Sequence, residues 1–289
     1  MENTEHVQDN ASVVGLSERD LAGCLALSRS ANWNQNEADW RLMLGFGRGW
    51  GIPAADGTLV ASTLALPYGA DFAWLAMVLV LPEYRRKGYA SRLLRAALAE
   101  MHRQRRVALL DATPAGHAVY VQEGFRDFWG FKRFALRSGI SEAGREGVRA
   151  LEPEDWESVF SLDAIAFGAS RETVLRDLSA RQPQAALVAE RGGQIAGFVL
   201  AREGREAAQV GPLVARDADT ARQLLGAALA RVSSPVYVDI ADHAAALQSW
   251  ALSQGFAIQR PFTRMAHGPQ GYAPGDAALV FCPAGPELG

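Results

Sequence analysis

The stretch Met77-Val78-Leu79-Val80-Leu81-Pro82-Glu83-Tyr84-Arg85-Arg86-Lys87-Gly88-Tyr89-Ala90-Ser91 joins an apolar strand to a helix through a basic, glycine-containing turn. Such a turn is suited to an anion. The first N–H groups of a helix lack intrahelical partners and lie at the positive end of its dipole, so backbone from Arg85 to Ala90 can cradle a pyrophosphate. Gly88 permits close approach, and Arg85, Arg86 and Lys87 concentrate positive charge. The whole chain is slightly acidic, with 29 Lys+Arg against 32 Asp+Glu and a net charge of -3. The charge is therefore local, and neither a nucleic-acid nor a membrane partner is expected.

Other reactive residue types are sparse. Cys24 and Cys282 are far apart and lack CxxC spacing, so neither a disulfide framework nor a thiolate metal site is indicated, and a reducing cytoplasm fits best. Cys24 lies in the apolar run DLAGCLAL and reads as core. The five histidines show no ligand spacing, so no metal is expected. The opening MENTEHVQDNASVV has no apolar core and reads as neither signal nor transit peptide.

The elements that must position the basic turn follow from periodicity. A strand near Val13 runs into a helix capped by Ser17 or Asp20, and a second helix covers EADWRLML. WGIPA, TLVASTLAL and FAWLAMVLV read as three antiparallel strands separated by Asp56-Gly57 and Tyr68-Gly69-Ala70-Asp71 turns. After the basic turn, Ala90, Leu93, Leu94, Ala97, Leu98 and Met101 form one helix face. VALLDAT is a strand, PAGHAVYVQE a helix stopped by Gly124, and FWGFKRFAL a closing strand.

Residues 138–147 are polar with three glycines and read as a linker. Beyond it the pattern restarts. The helix stripe is matched without a gap by Ala221, Leu224, Leu225, Ala228, Leu229 and Val232, and the same register pairs Asp111 with Asp242, Gly124-Phe125 with Gly255-Phe256, and Phe131 and Arg133 with Phe262 and Arg264. The expected domains are 1–138, a degenerate repeat at 148–268, and a tail at 269–289.

Arg85-Arg86-Lys87-Gly88-Tyr89-Ala90 resembles the Arg/Gln-x-x-Gly-x-Gly/Ala signature of the GNAT acetyltransferases, and the flanking Val78-Leu79-Val80 strand and Leu93-Leu94 helix agree with it. The resemblance implies an α+β, three-layer α/β/α fold in two tandem lobes, each with a mixed, mainly antiparallel sheet. It implies acetyl-CoA as co-substrate, held by Met77 to Val80, Arg85 to Ser91 and Thr113, with Thr113 standing where the family often has an asparagine. Val78 and Val80 would pair with the pantetheine arm, and a nearby N–H would polarise the thioester carbonyl. Tyr120, in HAVYVQEGF, resembles the family's tyrosine facing the CoA sulfur and is the candidate acid. NWNQNEADWR lies where the family forms its acceptor wall. Trp33, Asn34, Gln35 and Trp40 are expected to bind the acceptor, and Glu37 and Asp39 are base candidates, although helix capping by Asn34 or Asn36 with both acids in the first turn is favoured for at least one of them, and a relayed water could serve as base instead.

In the second repeat VGPLVARDADTARQLL is three residues shorter between strand and helix, has no glycine in the turn, and puts Asp217 and Asp219 where the basic pair stood. Carboxylates there would repel pyrophosphate. Ala251 stands opposite Tyr120. The reading is a cytoplasmic N-acetyltransferase with one working site and a small-molecule or peptide amine acceptor, acting as a monomer or homodimer. Alternatives are a CoA-sensing module and a longer acyl donor or hydroxyl acceptor.

Overall fold

The computed structural model describes residues 12–138, 147–270 and 272–289, so most of the expected linker lies outside the described residues. The first lobe runs β1 (Val14–Leu16), α1 (Leu21–Ser30), α2 (Glu37–Phe46), β2 (Arg48–Pro53), β3 (Leu59–Tyr68), β4 (Phe72–Val80), α3 (Tyr89–Arg103), β5 (Val107–Ala112), α4 (Pro114–Gln122) and β6 (Arg126–Leu136). The second runs β7 (Val148–Ala150), α5 (Trp156–Phe167), α6 (Glu172–Arg181), β8 (Leu187–Arg191), β9 (Gln194–Arg202), β10 (Ala208–Ala215), α7 (Ala218–Leu229), β11 (Val236–Ala241), α8 (Ala245–Ser253) and β12 (Ala257–His267), followed by β13 (Val280–Cys282). Local signals set these bounds as expected. Ser17 and Asp20 form a capping box before α1, Asn36 and Asp39 form one at α2, and Gly88 opens α3.

The strands form one mixed sheet rather than two separate ones, in the order β1-β2-β3-β4-β5-β12-β6-β11-β10-β9-β8-β7. The closing strands are exchanged between the lobes. β12 lies antiparallel to β5 of the first lobe, β6 lies antiparallel to β11 of the second, and β6 and β12 pair with each other at the centre. Phe131 and Phe262 are direct partners in that central ladder, with rings stacked 4.9 Å apart. The exchange leaves neither lobe with a self-contained sheet.

The exchange also corrects one detail of the repeat. Arg264 pairs with Asp111, and its counterpart Arg133 pairs with Asp239. Asp239, not Asp242, is therefore the twin of Asp111. The second repeat has three residues fewer between α7 and β11 and regains them before α8, so the offset that holds in helices and closing strands slips in β11. Asp242 instead meets Lys132 at the surface.

One sheet face carries a core continuous through both lobes, including Trp40, Phe72 and Trp74 from the first and Phe167, Leu175 and Phe198 from the second. On the other face α3 covers the first lobe and α7 the second, each over its own cluster. Burial of this many large apolar side chains, each contributing about 1.5–3 kcal/mol, is what holds the exchanged arrangement. Among the described residues no helix is long and apolar enough to cross a membrane.

Candidate active site

The site begins with an irregularity in β4. Ser62 pairs with Leu79 and Leu64 with Ala76, so Met77 and Val78 together oppose Thr63 alone. This is a β-bulge, and Met77 takes a left-handed φ of 53° to make it. That conformation costs a non-glycine residue about 1–2 kcal/mol. The buried Ser62 hydroxyl donates to the Met77 carbonyl at 2.8 Å and holds the bulge in place. β4 and β5 are paired only from Phe72–Val107 to Trp74–Leu109, and beyond that they separate.

The separation opens a cleft of ≈ 530 Å³. Val78, Leu79, Val80, Arg85, Arg86, Gly88, Tyr89, Ala90, Ser91, Thr113 and Tyr120 all line it, so the residues picked from the sequence converge. Lys87 does not line it; its ammonium lies over the Tyr84 ring at 4.8 Å. Arg86 and Gly88 both adopt left-handed φ, 61° and 79°, which folds the turn into a concavity before α3. Alternating left-handed residues of this kind make anion-binding nests. A Cβ at Gly88 would meet nothing within 4 Å, so the space before the helix is open.

At the other end stands α4. Thr113 caps it, its hydroxyl accepting from the Gly116 N–H at 3.3 Å, which is a structural duty in addition to lining the cleft. Tyr120 packs edge-on against Phe125 at 5.9 Å. Burial pushes its hydroxyl well above the usual phenol value, so it carries its proton throughout the physiological range. A tyrosine held protonated is able to donate its proton to a stronger base.

The second lobe has the same bulge with different contents. Val210 pairs with Ala201 and Leu213 with Val199, so Gly211 and Pro212 occupy the places of Met77 and Val78. Pro212 has no N–H to offer. The gap between β10 and β11 is filled by β13, antiparallel to β10 with Leu213 opposite Cys282 and Val214 opposite Val280. A Cβ on Gly211 would lie 2.3 Å from the Pro283 carbonyl. At the helix start Asp217 caps α7 by accepting from the Thr220 N–H at 2.8 Å. Burial raises the Asp217 pKa, but the Thr220 hydrogen bonds outweigh it and keep the group anionic.

Both halves of the chain match acetyltransferase family profiles. The profile of the acetyltransferase (GNAT) family matches residues 9–125, and that of an acetyltransferase (GNAT) domain matches residues 159–278. The chain is a tandem GNAT protein. It is 23% identical over 247 residues to the uncharacterized N-acetyltransferase YitH of Bacillus subtilis, covering 84% of this chain and 87% of that one. A candidate acetyltransferase from Pyrococcus horikoshii shares its fold with a TM-score of 0.81 at 20% identity, over 100% of this chain and 99% of the other. A tandem GNAT protein from the clavulanic acid biosynthesis pathway superposes with a TM-score of 0.60 at 18% identity, over 90% of this chain and 100% of the other.

In the first GNAT domain the cleft continues past the bulge into an inner chamber with a free volume of ≈ 30 Å³. Val78, Asp111, Thr113, Tyr120 and Trp33 line both spaces. Met77, Asn34 and Gln35 line the chamber only. Three residues expected at the acceptor wall are elsewhere. Trp40 is fully buried, its indole N–H donating to Ser28 at 3.1 Å. Glu37 points to solvent and pairs with Arg41 at 2.8 Å. Asp39 is buried in its capping box and neutralised by Arg181 at 2.8 Å and Arg202 at 2.9 Å. Neither acid lines the cleft or the chamber.

The chamber contains residues the sequence did not single out. Arg133, Arg260 and Phe262 reach it from the exchanged strands, and Pro286 and Glu287 from the segment after β13. Glu287 is buried and pairs with Arg202. The second GNAT domain also holds the wall itself. The Asn34 amide donates to the Ala207 carbonyl at 2.9 Å and accepts from the N–H groups of Glu206 at 2.9 Å and Ala207 at 3.0 Å. The inner chamber is thus built by both domains.

Proposed function

We propose that the chain is an N-acetyltransferase that moves the acetyl group of acetyl-CoA directly to an amine, at a single site in the domain 1–138. The observation that carries this reading is the contrast between two equivalent bulges. One opens a cleft with a nest at one end and Tyr120 at the other, while the second is closed by β13 and has proline in place of the cleft's N–H.

The residues fit the co-substrate. The Arg85 to Ala90 turn and the α3 N-terminus would take the pyrophosphate, where a Gly88 Cβ would intrude. The backbone of Val78 and Val80 would pair with the pantetheine amides. The Val78 N–H would polarise the thioester carbonyl as charge builds on its oxygen. In the transfer the amine lone pair forms the new C–N bond, the C–S bond breaks, and the Tyr120 hydroxyl gives its proton to the departing sulfur. The proton that the nitrogen sheds returns through water to the Tyr120 oxygen, so that overall the amine loses one proton and the sulfur gains one.

Domain 148–268 serves as architecture and acceptor wall in this reading. Two buried free thiols accord with a cytoplasmic location. Tyr120→Phe tests the transfer role directly. Turnover is expected to fall on the order of 10²-fold or more with the acetyl-CoA affinity unchanged. Unchanged turnover would remove Tyr120 as the acid, and acetyl-CoA binding without turnover of any amine by the wild type would favour a sensing module.

A further inference from the structure

The inner chamber contains an unusual set of unsatisfied polar atoms. Among the described residues, Gln35 Oε1, Glu287 Oε2 and Arg260 Nε are buried without a hydrogen-bond partner, and all three residues line the chamber. Gln35 and Glu287 are 4% and 3% exposed. An orphaned buried polar group is costly, so three around one space mark a place where a ligand can supply what the protein withholds.

Their chemistry is complementary to one kind of molecule. Gln35 Oε1 and Glu287 Oε2 are acceptors and call for N–H donors. Arg260 Nε is a donor and calls for an acceptor, best an anion. The other charges at the chamber already have partners, with Asp111 held by Arg264, Arg133 by Asp239, and one Glu287 oxygen by Arg202. The Arg260 guanidinium lies over the Phe262 ring at 5.1 Å and feels the charges of Asp239 and Glu287, but its Nε makes no hydrogen bond. Burial, and then Arg133 beside it, hold the Arg260 pKa below its ordinary value, a penalty that an arriving anion would relieve.

We propose that the acceptor is a small amino acid that arrives as a zwitterion, its amine held by Glu287 and Gln35 and its carboxylate by Arg260, with the ammonium proton passing to water before the neutral amine attacks. The inference rests on the acetyl-transfer reading and specifies the acceptor of that same site. The chamber's free volume of ≈ 30 Å³ corresponds to about two water-sized groups, which suits the polar end of a small acceptor. Arg260 and Glu287 come from beyond β11, so acceptor recognition depends on the second domain and on the segment that closes its cleft. Glu287 acts as a positioning group for the amine.

The test offers the full chain, saturated with acetyl-CoA, a panel of α- and ω-amino acids, each matched with its amide and its decarboxylated amine. At least one amino acid is expected to yield an N-acetyl product by mass spectrometry, with kcat/KM at least tenfold above both matched compounds. The same amino acid should bind calorimetrically to the CoA-loaded protein. Arg260→Met should raise its KM to that of the amide while leaving acetyl-CoA affinity intact, and Glu287→Gln should weaken the amino acid and amide alike. Amides or simple amines acetylated as well as the amino acids would overturn the proposal. So would a protein that binds acetyl-CoA but neither binds nor acetylates any amino acid. Failure to bind acetyl-CoA at all would instead overturn the acetyl-transfer reading beneath it.

Discussion

The Arg264 guanidinium from β12 grips the Asp111 carboxylate on β5 through two hydrogen bonds of 2.8 Å, across the boundary between the two GNAT domains. Asp111 is fully buried and Arg264 nearly so, between the rings of Trp74 at 4.4 Å and Trp129 at 4.3 Å. Arg133 and Asp239 repeat the pair on the other side of the central ladder. The exchange of strands is thus locked by twin buried bridges, with Phe131 and Phe262 stacked between them.

This bridge has a pH signature. Burial pushes the Asp111 carboxyl up to about 6 against the pull of Arg264. A carboxyl with a folded-state pKa above its unfolded value favours folding when protonated, so its contribution falls as pH rises from about 4 to 6, by roughly 3 kcal/mol. Arg264→Leu leaves the carboxylate unpaired and should cost about 3–5 kcal/mol at pH 7. Urea unfolding should show that loss shrinking at pH 5, and Asp111→Asn should rescue the Arg264→Leu variant. A pH-independent loss would contradict the account.

The exchange also predicts what half of the chain does alone. Residues 1–138 lack β12, which leaves β5 with an open edge, and an open edge pairs with another strand. A second copy can supply β6, placing its Arg133 on Asp111. Light scattering of this fragment should report a dimer, whereas a folded monomer would show that β12 is dispensable.

Gly88→Ala probes the nest. Its φ of 79° costs an L residue about 1 kcal/mol, and no neighbour clashes with the new Cβ. The melting temperature should fall slightly, and acetyl-CoA affinity by about tenfold because the methyl enters the anion's space. Equal affinity would place the pyrophosphate elsewhere.

Asn34→Ala removes three hydrogen bonds to residues 206 and 207, which tie the acceptor wall to the second domain. Leaving those backbone groups buried should cost about 2 kcal/mol in unfolding. It should raise the acceptor KM much more than that of acetyl-CoA, and parallel rises would show that the clamp serves the whole site.

The turn and the cleft it lines were legible because their determinants are contiguous. Arg85 to Ser91 lie in one turn, and the stripe from Ala90 to Met101 identifies the helix behind it. Gly88 and the missing glycine of the second repeat can be read directly. The inner chamber was not legible, because its parts meet only through tertiary structure. Glu287 and Gln35 lie in segments with no shared pattern, and strand exchange leaves no trace in spacing, since β6 has the same alternation whichever neighbour it pairs with. Glu37 and Asp39 were drawn into the candidate site by their position alone. The Asn36-x-x-Asp39 capping box was the stronger local signal, and the buried charge of Asp39 belongs to Arg181 and Arg202.

The single-site claim is tested most directly by calorimetric titration of acetyl-CoA into the wild type and into the Arg86→Glu, Gly88→Glu double variant. The account predicts one equivalent bound by the wild type and none by the folded variant. Two equivalents in the wild type, or one retained by the variant, would contradict it.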